Sequence, residues 1–255
     1  AFGVGSVAVG AGARSSGDYA IALGYNANVF PNGNNADAVA IGHSAASFAP
    51  RTVAVGTLAS GEGEEAIAIG YDARAVSRRS IAIGSGADTS IVYGDNIALG
   101  TNARADAPDA IAIGRNASVG VFVGEVGSAA MAVGVQSTAL GNNSVAMGYN
   151  AFTRESGGNA GALGANAGAS GADSVALGSG SRSYDANVVS VGNGNGRGGP
   201  ATRRIVNVGS GAIASASTDA INGGQLFQSL SNAASFLGGG AAIGAQGVFV
   251  APTYV

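Results

Sequence analysis

The sequence predicts an all-β fold, a parallel β-roll wound as a solenoid of 14-residue rungs with two short strands each, and three observations predict it. The first is a repeat. The phrase aliphatic, Ala, aliphatic, Gly recurs 14 times, with its Gly at Gly10, Gly24, Gly42, Gly56, Gly70, Gly84, Gly100, Gly114, Gly134, Gly148, Gly164, Gly178, Gly192 and Gly209. Eight of the 13 intervals are 14 residues, and the rest are 16, 16, 17, 18 and 20. The second is alternation: the residues one and three before each Gly are Val, Ile, Leu or Met with few exceptions, and the residue between them is Ala in 12 of 14 copies. A period of two is the mark of a strand with two different faces. The third is composition. The chain has 45 Gly, no Trp and only 6% aromatics, a mixture that fills many thin layers better than one large core.

A helix is disfavoured through this region, because Gly returns every rung and β-branched residues hold the main columns. Each rung reads as a strand, a Gly turn, a second strand and a second turn. Gly17, Gly63, Gly141 and Gly171, seven residues after the first Gly, mark that second turn. Stacked copies bury what a single copy cannot, and 14 rungs at about 4.8 Å each make a rod of roughly 65 Å. Apolar residues are expected inward, which places the roll core at Ile21, Leu23, Ile67, Ile69, Ile81, Ile83, Ile111 and Ile113. The unbroken Ala stripe then lies on the other face, as a subunit interface or as an exposed strip. Five residues before successive glycines stand Asp37, Arg51, Glu65, Arg79, Asp95 and Asp109, and Glu64 and Arg78 lie 14 apart. In register, the first five of the column alternate in sign, which would favour correct register more than it would stabilise the rod.

The chemistry-bearing residues are few. Net charge is −3 with 11% charged residues, and all 12 basic residues are Arg; this is not the basic footprint of a nucleic-acid binder. Cys is absent, so there are no disulfides or thiolate metal sites. Asp and Glu are scattered about one to a rung, without the dense loop of a calcium site. No cofactor and no metal are expected. His43, the single His, directly follows Gly42, where other rungs carry Tyr25, Tyr71, Tyr149, Arg115 or Ser85; a variable turn position is a poor place for a general base. The segment Gly192-Asn193-Gly194-Asn195-Gly196-Arg197 is glycine-rich but leads into no apolar helix, unlike a phosphate loop. Residues 220–255 carry no charge, yet Asn222, Gln225, Gln228, Asn232, Gln246 and the Gly238–Gly240 run do not suit a membrane span. Three insertions, Asn28–Ala36, Ala117–Ser128 and Asn193–Arg203, are either tolerated length variation or ligand-contact loops, with Phe30, Pro31, Phe122 and Arg197 as the contact candidates.

Two motifs carry a resemblance. Ser80-Ile81-Ala82-Ile83-Gly84 and Ser144-Val145-Ala146-Met147-Gly148 resemble the head repeat of YadA-like trimeric autotransporter adhesins, haemagglutinin-like surface proteins of type Vc secretion. Arg203-Arg204-Ile205-Val206-Asn207-Val208-Gly209, followed by Thr218-Asp219-Ala220-Ile221-Asn222-Gly223-Gly224-Gln225-Leu226, resembles the neck of the same family, with Gly224 in place of the usual Ser. The resemblance implies a left-handed parallel β-roll packed as a homotrimer. Its head would span residues 1–202 and its neck 203–226, with Asn207, Asp219, Ala220, Ile221, Asn222, Gly223, Gln225 and Leu226 locking the trimer. A short coiled-coil segment over 227–234 and the start of a further Gly-rich β module over 235–255 would follow. It also implies a non-enzymatic adhesin head at the bacterial cell surface, held in the outer membrane by an anchor outside this sequence. Its partners would be itself, as a homotrimer, and an extracellular-matrix protein or host-cell receptor, with no nucleic acid. Two alternatives stand beside adhesion: a passive spacer carrying another adhesive domain, and a hexapeptide-type acyltransferase, whose rungs step by about 18 residues and are three-sided. An ice-binding solenoid would need a Thr ladder that is not present in register.

Overall fold

The computed structural model describes residues 1–30, 36–89, 95–120 and 128–254. The chain forms two compact units, Ala1–Arg203 and Arg204–Val255.

The first unit is a two-sheet roll. Three-residue strands from Val7–Val9 through Ile81–Ile83 to Val175–Leu177, closed by Val189–Ser190, make a 13-stranded sheet. Two-residue strands from Arg14–Ser15 through Arg74–Ala75 to Arg182–Ser183 make a 12-stranded one. In both, neighbouring strands come from consecutive rungs, pair in parallel and keep the repeat in register: Ile67, Ile81 and Ile97 stand in one row, and Ala68, Ala82 and Ala98 in the next. At about 4.8 Å per step, the larger sheet is about 60 Å long. The fourteenth sequence copy is not a rung, because Val206-Asn207-Val208-Gly209 forms no strand and lies in the second unit.

The placement of the two faces corrects the sequence expectation. The interior of the roll is lined by Ala22, Ala40, Ala54, Ala68, Ala82 and their equivalents up to Ala176, all at 0% exposure within a single chain. The Ala stripe is therefore the core and not a subunit interface. Ala27, Ala45, Ala73, Ala103 and Ala167 fill the interior from the turn after the Gly, and Ser15, Val29, Ala75, Val119 and Thr153 fill it from the second sheet. The residues expected in the core point outward. Ile21 is 39% exposed, Leu23 43% and Ile69 37%, while Ile67, Ile81, Ile83, Ile111 and Ile113 are half-buried. The reason is room: the two sheets lie so close that only small side chains fit between them.

That closeness also fixes the recurring Gly. At Gly70 φ is +137°, and a Cβ there would sit 2.5 Å from the carbonyl oxygen of Gly84 in the next rung. Small hydroxyls serve the interior similarly. The Ser80 hydroxyl donates to the Ser77 carbonyl (2.7 Å), Ser144 to the Gly141 carbonyl (2.6 Å), and the Ser144 and Thr153 hydroxyls lie 2.7 Å apart. These bonds satisfy polar groups that would otherwise be costly to bury.

Each rung turns twice through a left-handed residue, and the two turns are related. Asp37 and Ser44, Arg51 and Leu58, Asn102 and Asp109 then Asn116, and Asn159 and Asn166 all have φ between 50° and 60° or close to it. Asn and Asp dominate, as short polar side chains tolerate this region best. Stacked main chains hold them there: Arg79 N–H donates to the Glu64 carbonyl (2.8 Å) and Asn159 N–H to the Asn142 carbonyl (2.8 Å). From the left-handed residue before the long strand to the one after it is seven residues in rung after rung, as from Asp37 to Ser44 and from Asn143 to Asn150. Extra residues fall in the other half-rung: from Asn150 to Asn159 the distance is nine and from Asn116 to Ala129 it is 13.

The second unit has one helix, α1 (Gly223–Leu237), a two-stranded antiparallel pair of Ala242–Ile243 with Phe249–Val250, and a 3-10 turn at Ala245–Gly247. Only Ala234 of α1 is buried; Phe236 is 92% exposed, and Phe227, Leu226, Ile205 and Ile213 are all exposed. A 15-residue helix without a buried face is marginal in water, so this unit lacks a core of its own. No helix among the described residues is long and apolar enough to cross a membrane.

Two glycines separate the steric claim from a general effect of composition. Gly70→Ala should destabilise the roll by more than about 1 kcal/mol, because the backbone there is incompatible with a side chain. Gly158→Ala, with open space around its Cβ and no positive φ, should be neutral or slightly stabilising. Thermal denaturation followed by circular dichroism distinguishes the two.

Candidate functional surfaces

The outer face of the larger sheet is an apolar ridge two columns wide. Val7, Val9, Ile21, Leu23, Ile69, Leu99, Met147, Leu177 and Val189 are exposed on it, and the intervening Val, Ile and Leu are half-buried. Exposed apolar patches beyond a few hundred Å² mark interaction surfaces, and a ridge running the full length of the sheet is of that kind.

The outer face of the smaller sheet is polar and divides into two regions. In the first, Arg74 pairs with Glu62 (3.3 Å) and Arg104 with Asp106 (2.8 Å). Asp88 stands in register between the two arginines. Its Oδ1 is buried without a hydrogen-bond partner. Burial raises the Asp88 pKa above its ordinary 3.8, against the pull of Arg74, with Asp106 adding to the rise. In the second region, Phe152, Gly168 and Arg182 stand in register on successive strands. The Phe152 ring lies over Gly168, where a Cβ would come within 2.4 Å of it. The guanidinium carbons of Arg182 and Arg154 lie 5.0 and 5.5 Å from its centroid. Sequence reading passed over this cluster, although an aromatic, a Gly and an Arg at one repeat position was a signal that could have found it.

Along the turn column, the expected charge ladder forms in part. Arg51 pairs with Glu65 (3.1 Å) and also with Glu64, Arg78 meets Glu64 at 3.6 Å, and Arg79 grips Asp95 through two bonds of 2.6 and 2.7 Å. All these side chains are more than a third exposed, so each pair contributes little to stability. Further along the same column an amide ladder takes over, with Asn143 donating to Asn159 (3.2 Å) and Asn159 to Asp173 (2.9 Å).

The candidate contact loops fare differently. Pro31 and Phe122 lie outside the described residues. Phe30 stacks on Phe48 with centroids 4.3 Å apart. Arg197 is exposed in a loop organised by Asn193, whose Oδ1 accepts from the Gly196 and Asn195 N–H groups (2.7 and 3.2 Å) and whose Nδ2 donates to the Arg197 and Gly199 carbonyls (2.6 and 3.1 Å). The inward N–H groups that could cradle an anion are filled by the loop's own side chain. His43 stacks on Tyr25 at 5.3 Å. Among the described residues no group of three or more His, Cys, Asp or Glu could hold a metal. The rungs have two sides, not the three that the acyltransferase reading requires.

The neck residues meet at the start of α1. Asn222 caps the helix, accepting from Gln225 N–H (3.0 Å), and Gln225 Oε1 returns to Asn222 N–H (3.2 Å), a reciprocal capping box. The same two side chains reach the preceding segment: Asn222 Nδ2 donates to the Val208 carbonyl (3.1 Å), and Gln225 exchanges bonds of 2.9 and 2.6 Å with Gly211. Asp219 accepts from Ala212 N–H (2.9 Å). Asn207 holds a left-handed turn, while Ile221 and Leu226 are exposed.

A two-sided parallel roll with an apolar outer face, followed by a capped helix with an exposed apolar face, defines a β-solenoid of stacked 14-residue rungs. Residues 3–27, 34–59, 62–87, 97–117, 126–151 and 156–181 match the YadA head domain repeat, and residues 204–247 match the coiled stalk of trimeric autotransporter adhesins. The chain belongs to this family, the YadA-like trimeric autotransporter adhesins. A similar relative is the autotransporter adhesin EhaG of Escherichia coli O157:H7, 45% identical over 51 residues, which are 20% of this chain and 3% of that protein. The chain thus matches only a small part of that relative's length. A similar solved structure is the collagen-binding domain of the Yersinia adhesin YadA, with 22% identity and a TM-score of 0.49 over 72% of this chain and 85% of that one.

Two outcomes follow from these geometries. A carboxyl whose pKa is raised by folding contributes most to stability below its ordinary range, and that contribution is lost as pH rises through the raised value. Asp88→Asn should therefore raise the melting temperature at pH 7, and the gain should vanish as the pH falls towards the ordinary Asp range. At the neck, Asn222→Ala should cost α1 about 1 kcal/mol, seen as lost helical ellipticity on heating, and Asn222→Ser should restore most of it.

Proposed function

We propose that this chain is the head and neck of a surface adhesin that acts as a homotrimer, three protomers meeting through the aliphatic ridges of their larger sheets. The observation that carries this reading is the ridge itself. The core is complete without it, so its Val, Ile and Leu residues are surplus to the protomer's own packing. The exposed apolar residues of α1 and the segment before it add the same demand at residues 204–237. Residues 203–226 act as the neck, 227–234 begin a coiled coil, and 235–255 open a further β module. Membership of this family supports a cell-surface location with attachment to the outer membrane.

Attachment follows from the surfaces. A rigid roll repeated three times offers many weak contacts at once, and avidity makes up for the lack of a deep pocket. The ligand class is a host extracellular-matrix protein or cell-surface receptor. A head of this kind works by presenting side chains at fixed spacing, and no catalytic step enters.

Light scattering on a sizing column should give three times the 24.3 kDa chain mass. Ile83→Asp combined with Ile113→Asp should reduce it to a single chain while the β-type circular dichroism persists. A single-chain mass for the unmodified protein would remove the trimer. Binding of the trimer to matrix-coated surfaces supports adhesion by the head itself, and a trimer that binds none would reassign it as a spacer.

A further inference from the structure

Among the described residues five arginines of the roll are ion-paired, and of those that are not, which include Arg14 and Arg115, two share one aromatic ring. Arg51, Arg74, Arg78, Arg79 and Arg104 each pair with a carboxylate. Arg154 and Arg182 pair with none among the described residues, yet both are held over one ring, that of Phe152. Two like charges gathered around one aromatic ring, neither of them ion-paired among the described residues, form a site that can take an anion. The site is also fixed in place. Arg182 donates to the Ser181 carbonyl (3.1 Å) and to the Asn166 carbonyl, and Gly168 leaves the space that the tip of the Phe152 ring occupies. Beside it opens a recess of about 370 Å³ lined by Leu140, Arg154, Glu155 and Ser156. Tyr184 is exposed two residues beyond Arg182.

We propose that this cluster on the outer face of the smaller sheet binds a sulfated polysaccharide, with Arg154 and Arg182 as the sulfate-binding forks and Phe152 as the platform that orients them. A guanidinium fork matches an oxyanion in two-point geometry. The surface suits a polymer that carries its anions along a chain. It is open and shallow, both neighbouring strands are already paired so that no free edge awaits a peptide, and the recess offers hydroxyl and carboxylate partners for sugar hydroxyls. The site lies on the sheet opposite the aliphatic ridge, so self-association through the ridge leaves it accessible. Three copies on a trimer would engage one polymer with avidity. The proposal names a ligand class within the adhesive reading above, although the site itself is built within one protomer.

The test is binding of the full 255-residue chain to immobilised heparin at near-physiological salt. The double variant Arg154→Gln with Arg182→Gln should weaken binding at least about tenfold. Phe152→Leu, which keeps both charges, should weaken it several-fold. Arg78→Gln with Arg79→Gln removes the same charge from paired arginines and should change affinity by less than about twofold. Melting curves of each variant confirm that the roll is intact. The proposal is overturned if the unmodified chain does not bind heparin or if both double variants lose affinity equally. It is also overturned if desulfated heparin binds as well, or if poly-glutamate displaces heparin at equal concentration, which would assign the site to acidic peptides. The mass of the same sample keeps the two readings apart. A trimer that ignores heparin sinks the polysaccharide site alone, and a heparin-binding single chain sinks the trimer alone.

Discussion

The narrow gap between the two sheets is the constraint from which the rest of this roll follows. With strands of successive rungs about 4.8 Å apart along the axis, the main chains at each corner touch. Only Gly fits where Gly70 meets Gly84, and the interior is filled by Ala, Ser and Thr with little larger than Val29, Val119 and Asn96. A narrow interior has little capacity for large aliphatic side chains, so these are displaced to the outside. The apolar ridge is in that sense a product of the small core.

The same constraint explains what could be read in the sequence and what could not. The period, the two strands per rung and their parallel stacking were legible because Gly and Ala recur in fixed columns. Period-two alternation says that the two faces differ and leaves open which of them is inward. Ordinary hydrophobic ranking put Ile81 and Ile83 inside and Ala82 outside; the structure reverses them because volume outranks hydrophobicity when the space is this small. An unbroken column of one small residue type was the available clue, since surfaces tolerate variety and tight interiors do not. The fourteenth copy misled for a different reason: Val206, Asn207 and Val208 keep the phrase but lose the rung, because Asn207 takes a left-handed turn where Ala would extend.

At the candidate surfaces, legibility tracked locality. The capping box of Asn222 and Gln225 spans three residues and could be recognised from the motif alone, whereas their bonds to Val208 and Gly211 cross 14 residues and required coordinates. The charge ladder was visible as a column, but Glu64 taking Arg51 as well as Arg78 was not, since side-chain reach is not written in register. The Phe152 cluster joins residues two rungs apart, and it stands out because Arg154 and Arg182 form no ion pair among the described residues, which no single-residue pattern displays.

The uneven halves of the rung have an architectural consequence. One corner is held to seven residues from turn to turn, whereas the opposite half-rung accepts anything from the minimum to six extra residues without breaking register. Every length change is thus confined to a single edge of the cylinder, at axial steps set by the repeat. The roll behaves as a graduated rail: inserts can be added, lengthened or exchanged at chosen marks along one line while the remaining circumference, ridge included, stays unaltered. Variation in what is displayed and constancy of the apolar ridge are thereby assigned to different sides of the same molecule.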